Sequence, residues 1–317
     1  QKLRLDSEQK IASSIQNINS ILDRIDTLNE KVSGSVLGDS SISDYEDQRV
    51  QELQNLAAEM DIQYYYTSDN RVQIYSGSGE AMLLSDPHHI TYNPTNAITG
   101  STVYPAGFSA MDLNGTDLTT TIKGGKLGGL IALRDSVYVD EQSKLNEFAS
   151  VLKTQTNTFL NTGASIPPRA LMEGSRQGLT LATPFSATGQ VRVAITDTSG
   201  TVQNYTDINL ATMTSINDVV TALNGVAGIT ASLNTQGELS ISVSPSTNGV
   251  VMNPLTSAVT SSSGESFSQY FGLNDLFTGT NAEDMAVSSY LLSNPQYLST
   301  SVLSGSATLA AGDRGVN

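Results

Sequence analysis

A chain of 317 residues, 38% hydrophobic and 6% aromatic with no tryptophan, is too long for one ordinary core and too polar for a thick one, which predicts two or three thin domains in an elongated arrangement. With 31 acidic against 16 basic residues the net charge is −15, which repels phosphate backbones and anionic headgroups. No run approaches the roughly 20 apolar residues that cross a bilayer, so neither nucleic acid nor membrane is an expected partner.

From Ile11 the apolar residues fall at Ile15, Ile18, Leu22, Ile25 and Val32, a four-then-three step broken only where Asn29 takes a slot. This is a helix with one narrow seam that needs a partner helix. The small polar stretch Gly34 to Ser41 reads as a turn. Ser43 with Glu46 three residues on reads as a capping box opening an antiparallel second helix through Tyr45, Leu53, Leu56 and Met60. After Asp61 the period changes: Ile62 to Thr67, Val72 to Tyr75 and Ala81 to Leu84 predict a β-meander, with a turn at Gly77-Ser78-Gly79. Asp86 to Gly115, rich in Pro, Gly and Asn, predicts no regular element, and Leu118 to Ile122 predicts one more strand.

The run Gly124-Gly125-Lys126-Leu127-Gly128-Gly129 opens a long helix. Leu127, Leu130, Val137, Tyr138, Leu145, Phe148, Leu152 and Phe159 keep helical spacing for about 50 Å at 1.5 Å per residue. Asn161-Thr162-Gly163 ends it and Pro167-Pro168 forbids continuation. The expected packing is seam on seam: Ile11, Ile15, Ile18, Leu22 and Ile25 against Leu145, Phe148, Leu152 and Phe159. Further on, Val191 to Ile195 with Val202 to Leu210 forms a hairpin, Ser215 caps a helix from Ile216 to Leu223, and Thr230 to Leu233 pairs with Leu239 to Val243. Ser257 to Glu265 reads as a linker. Beyond it lie the aromatic cluster Phe267, Tyr270, Phe271, Leu273, Leu276 and Phe277 and then short helical pieces. The fold class is α+β. The expected domains are a helical-bundle core over 1–165 carrying the meander at about 61–123, a separate β-rich outer domain over 166–264, and a helical return over 265–317 packing on the core domain.

Little in the chain carries chemistry. The lack of cysteine removes disulfides, thiolate catalysis and thiolate metal sites together. His88-His89 would need carboxylates from elsewhere to hold a metal, because adjacent side chains diverge, and reads as a solvated loop. Asp112 to Asp117 lacks the closing Glu of a calcium loop and reads as a turn. A phosphate loop needs Ser or Thr after Gly-Lys, where this chain has Leu127, so the glycines read as a close-packed helix entrance. Neither Gly-x-Ser-x-Gly nor His-Glu-x-x-His occurs. No catalytic residue, cofactor or metal is expected.

The order of parts and four runs give a family resemblance. Lys123-Gly124-Gly125-Lys126-Leu127-Gly128-Gly129-Leu130 with Leu133-Arg134-Asp135 is the most specific. Tyr45-Glu46-Asp47-Gln48-Arg49 with Leu53 follows, where Val50 stands in place of the family's Asp, then the hairpin Val72 to Ser85 and Tyr270-Phe271-Gly272-Leu273-Asn274-Asp275-Leu276-Phe277. The chain resembles the flagellar hook-associated protein 1 family of hook-filament junction proteins over most of 1–165 and 267–317. Residues 170–255 stand where such axial proteins carry a variable outer domain, and the family's terminal heptad segments are absent. The resemblance implies a non-enzymatic axial subunit joining hook and filament, exported by flagellar type III secretion to the cell exterior. Its implied partners are copies of itself in a helical tube, the hook protein, the second junction protein and an export chaperone bound near the missing C-terminus. The alternatives are another axial protein, flagellin or the second junction protein, and a surface adhesin with 170–255 as its binding domain.

Overall fold

A computed structural model describes residues 1–34, 41–304 and 308–310. The chain forms two units, Gln1–Lys144 and Leu145–Asn317. In the first, α1 (Lys2–Gly34) buries one stripe running from Arg4 to Val32. α2 (Ser41–Glu59) returns antiparallel: Ser14 meets Glu59, Arg24 meets Glu52 and Asn29 meets Arg49. The turn between them, residues 35–40, lies outside the described residues. The capping box expected at Ser43 is not the helix start; α2 begins two residues earlier, and Glu46 accepts a 2.6 Å hydrogen bond from Asn70 instead.

The meander forms as expected, with β1 (Ile62–Tyr66), β2 (Val72–Ser76) and β3 (Ala81–Leu83) antiparallel in the order β1-β2-β3. Val72, Ile74 and Ser76 alternate into the core. The seam slot taken by Asn29 is explained here. Its side-chain oxygen accepts from the Val72 N–H and its amide donates to the Val72 carbonyl, both at 2.9 Å, so a buried amide ties α1 to β2. β4 (Asp112–Leu113) and β5 (Thr116–Asp117) form a hairpin whose turn, Asn114-Gly115, has φ of 54° and 87°. The strand expected over Leu118–Ile122 is a turn: Ile122 N–H bonds the Leu118 carbonyl at 3.2 Å. Leu118 and Thr119 are buried in succession and Thr120 and Thr121 exposed in succession, which is not the alternation of a strand. The core joins Ile11, Ile15, Ile18, Leu22 and Ile25 to Leu53, Leu56, Val72, Ile74, Leu83 and Leu127. Each such side chain contributes about 1.5–3 kcal/mol on burial.

α3 (Gly125–Ala132) runs through one π turn, Leu133–Val137, into α4 (Tyr138–Asn161), and the helix ends where Asn161-Thr162-Gly163 predicts. The second unit holds β6 (Leu171–Glu173), β7 (Ala187–Thr188), β8 (Gln190–Thr196), β9 (Val202–Asn209), α5 (Ile216–Asn224), β10 (Ile229–Leu233), β11 (Leu239–Val243), β12 (Gly249–Asn253) and β13 (Ala258–Val259). Both expected hairpins form, β8 with β9 and β10 with β11. Each gains a third strand, in the orders β12-β8-β9 and β10-β11-β6. Ser215 and Asp218 make the capping box of α5. The chain continues through α6 (Phe267–Phe271), β14 (Phe277–Thr278), β15 (Ala286–Val287), α7 (Ser289–Ser293), β16 (Val302–Ser304) and β17 (Thr308–Ala310).

Three expectations are corrected in this unit. The boundary falls at 144/145, inside the long helix, rather than at 165/166. Ser257–Glu265 is not a free linker: β13 pairs with β7, and the Ser257 hydroxyl accepts from Phe267 N–H at 3.1 Å. The described residues of 265–317 are not a mainly helical return: α6 and α7 are five residues each, and short strands make up the other regular elements apart from one 3-10 turn. Phe267, Tyr270, Phe271 and Leu273 lie in one core with Val191, Leu210, Val219 and Leu239, because α6 fills the apolar space between the β-strands and α5.

Candidate functional site

The glycine run has a definite geometry. Gly124 is the N-cap of α3, and its N–H donates to Asp61 Oδ2 at 2.9 Å. A side chain there would strike that same carboxylate. Gly125 sits at φ +64°, where a Cβ would come within 2.6 Å of the Glu59 carbonyl, and Gly128 would meet the Lys123 carbonyl carbon at 2.6 Å. Gly129 faces open space. Gly125 therefore lets the end of α2 and the start of α3 touch backbone to backbone, while Gly124 makes room for the Asp61 carboxylate and Gly128 for the Lys123 carbonyl. Lys126 locks the junction by donating to Glu59 Oε1 at 3.1 Å, while Ser14 and Asn17 of α1 donate to the same carboxylate at 2.5 and 3.0 Å. Burial pushes the Glu59 carboxyl up, but the hydrogen bonds from Ser14, Lys126 and Asn17 outweigh it and hold the group below its ordinary value. Leu127 is fully buried beneath.

One turn further on, Arg134 lies in the π turn with no exposed surface. It donates to Glu8 Oε2 at 2.8 Å and to both oxygens of Asp135 at 2.7 Å, and Phe108 lies 4.0 Å from its guanidinium. Burial opposes the cation, but Asp135 and Glu8 outweigh it and raise its pKa. Glu8, equally buried, also accepts from Tyr92 Oη at 2.6 Å and Thr95 N–H at 3.0 Å. Arg4 donates to the Arg134, Thr99 and Thr102 carbonyls at 2.9, 3.2 and 2.6 Å. This network fastens the irregular segment after Asp86 to α1 without any regular element. Sequence reading singled out Arg134 and Asp135 but missed Arg4, Glu8 and Tyr92. The available signal was spacing: Arg4, Glu8, Ile11 and Ile15 continue the four-three-four step, placing two charges in buried slots.

In the second unit, Phe271 packs against Phe185, Phe267 and Tyr270 at ring distances of 6.0, 4.8 and 4.8 Å. Gly272, at φ +66°, ends α6 in the left-handed conformation, and Leu273 is buried behind it. α4 holds this run through amides. Asn157 accepts from Leu276 and Phe277 N–H, both at 3.0 Å, and donates to the Phe277 carbonyl at 2.8 Å. Asn161 accepts from Asn274 N–H at 2.9 Å and donates to Asp275 at 2.7 Å.

The two expected seams differ in burial. Ile11, Ile15, Ile18, Leu22 and Ile25 are at most 3% exposed and are filled from within the first unit. Leu145, Phe148, Leu152 and Phe159 are 55, 66, 37 and 52% exposed, with Val151 beside them at 54%. Within its own unit the first seam packs against α2, α3 and the meander. α4 buries Ala149, Asn157, Leu160 and Asn161 and leaves Leu145, Phe148 and Val151 more than half exposed. His89 bonds Asp23 at 2.8 Å and His88 contacts Asn114, both on the surface. Asp112 caps its own turn by accepting from Gly115 N–H at 3.0 Å. These groups serve loops.

Residues 1–168 match the family model described as the helical domain of the flagellar hook-associated protein FlgK. No curated protein sequence matches the chain. Among solved structures, the flagellar hook junction protein FlgK from Burkholderia pseudomallei is similar with a TM-score of 0.40 and 16% identity, over 87% of this chain and 52% of that one. The chain thus spans about half the length of that relative.

Proposed function

The chain belongs to the family of the flagellar hook-associated protein FlgK, whose helical domain its residues 1–168 match, and from that premise we propose that it is a non-enzymatic structural subunit joining hook to filament in the bacterial flagellum. The observation that carries the reading furthest is the exposed stripe Leu145, Phe148, Val151 and Leu152 on α4. Apolar side chains at helical spacing on the outside of a well-bonded helix form a surface made to be covered by another polypeptide. The residues at work are packing surfaces, not a catalytic set. The partners are further copies in a helical tube, the hook protein on one side and the second junction protein on the other. The β-rich part after residue 166 is the outer domain. Absence of cysteine supports export in an unfolded state, by the flagellar type III route with a dedicated chaperone.

Electron microscopy of cells lacking the gene tests this. Bare hooks and loss of swimming, both reversed by the restored full-length protein, are the expected result. Filaments in normal number on the deletion cells contradict it.

A further inference from the structure

Among the described residues β1 is an edge strand of its sheet, with β2 on one side and no strand on the other. Gly77 N–H bonds the Asp61 carbonyl and Thr67 N–H bonds the Arg71 carbonyl, both at 2.9 Å. Main-chain groups alternate along a strand, so Gln63 and Tyr65 also face β2, while Ile62, Tyr64 and Tyr66 turn their N–H and C=O away from the sheet. Native edges are normally blunted by charge, proline or a bulge. β1, Ile-Gln-Tyr-Tyr-Tyr, has neither charge nor proline and pairs with β2 without a register shift. Tyr64, Tyr65 and Tyr66 are 46, 57 and 53% exposed. Tyr64 and Tyr66 stand opposite Ile74 and Val72, so the sheet's buried face runs out onto a half-exposed strand, where the two rings meet edge-on at 6.0 Å and Arg49 lies 5.5 Å over Tyr66. On the other face Tyr65 meets Tyr75 edge-on at 5.9 Å.

The segment Gln63-Tyr64-Tyr65-Tyr66-Thr67 reads almost alike in both directions. We infer that β1 is a self-pairing edge: a second copy of this chain adds its own β1 antiparallel, about a two-fold axis at Tyr65, joining two meanders into one sheet. Tyr64 then exchanges main-chain hydrogen bonds with the partner's Tyr66, and Tyr66 with the partner's Tyr64. Tyrosine stands opposite tyrosine at three successive positions, on both faces. The contact is well below the roughly 1,200 Å² of a stable interface, so it is weak and concentration-dependent. Each copy carries a charge of −15, so added salt strengthens it. The contact is isologous and closes on itself. It cannot propagate a fibre, and it stands or falls independently of the junction role.

A chain without cysteine allows a register-specific test. At the axis, Tyr65 faces its own counterpart in a non-hydrogen-bonded pair with Cα atoms about 4.5 Å apart, within disulfide reach. At millimolar concentration under mild oxidation, Tyr65→Cys is expected to give a disulfide dimer, faster at high salt. Gln63→Cys alone is not, because its two copies sit about 13 Å out of register, whereas Gln63→Cys mixed with Thr67→Cys is. Adding Tyr64→Lys to Tyr65→Cys slows the reaction about tenfold by setting a charge on the edge. Absence of the Tyr65→Cys dimer, or equal rates for Tyr65→Cys and Gln63→Cys, overturns the inference. Unchanged melting of each variant shows that the fold is kept.

Discussion

Glu59 joins three helices through one carboxylate, and its protonation reads out that joint. Its folded pKa lies below the ordinary 4.5, so its contribution is complete above that value and is lost as the pH falls through the lowered folded pKa. Urea titrations should show Glu59→Gln less stable than the parent at neutral pH, with the two curves converging on acidification. The glycines separate as sharply. Gly125→Ala, at positive φ and against backbone, should cost about 1–3 kcal/mol, while Gly129→Ala, facing open space, should stabilise by about 0.5–1 kcal/mol. Arg134→Ala leaves Glu8 buried without its cation and should cost about 3–5 kcal/mol in the same titration.

At the scale of elements, the two long seams make opposite predictions. Ile18→Ala removes fully buried volume and should cost about 2–5 kcal/mol, whereas Phe148→Ala should change stability by no more than about 0.5 kcal/mol; differential scanning calorimetry decides between them. Periodicity revealed both as helical faces because spacing is a local property. It did not reveal which one is covered, since that depends on residues far away: α4 buries asparagines that bond residues 274–277, a satisfied polar face that no apolar pattern announces. For the same reason the hairpins and the cap of α5 were readable, while β12 was not. Its Val250-Val251-Met252 is buried throughout and shows no alternation. The glycine entrance of α3 was readable as close packing. The Glu8–Arg134 pair, 126 positions apart, was visible only as charges in seam slots.

For the whole molecule, each unit has its own core. The long helix leaves the first unit as a packed apolar segment, with Leu127, Leu130 and Ile131 buried, and continues in the second as an exposed apolar stripe. The proposed junction role needs a stable body together with a surface that is complete only in the assembly. The most direct test introduces Leu145→Asp and Phe148→Asp together into the full-length protein and scores melting temperature beside attached filaments. The account predicts an unchanged melting temperature and cells without attached filaments. Normal filaments and swimming with both aspartates in place would contradict it.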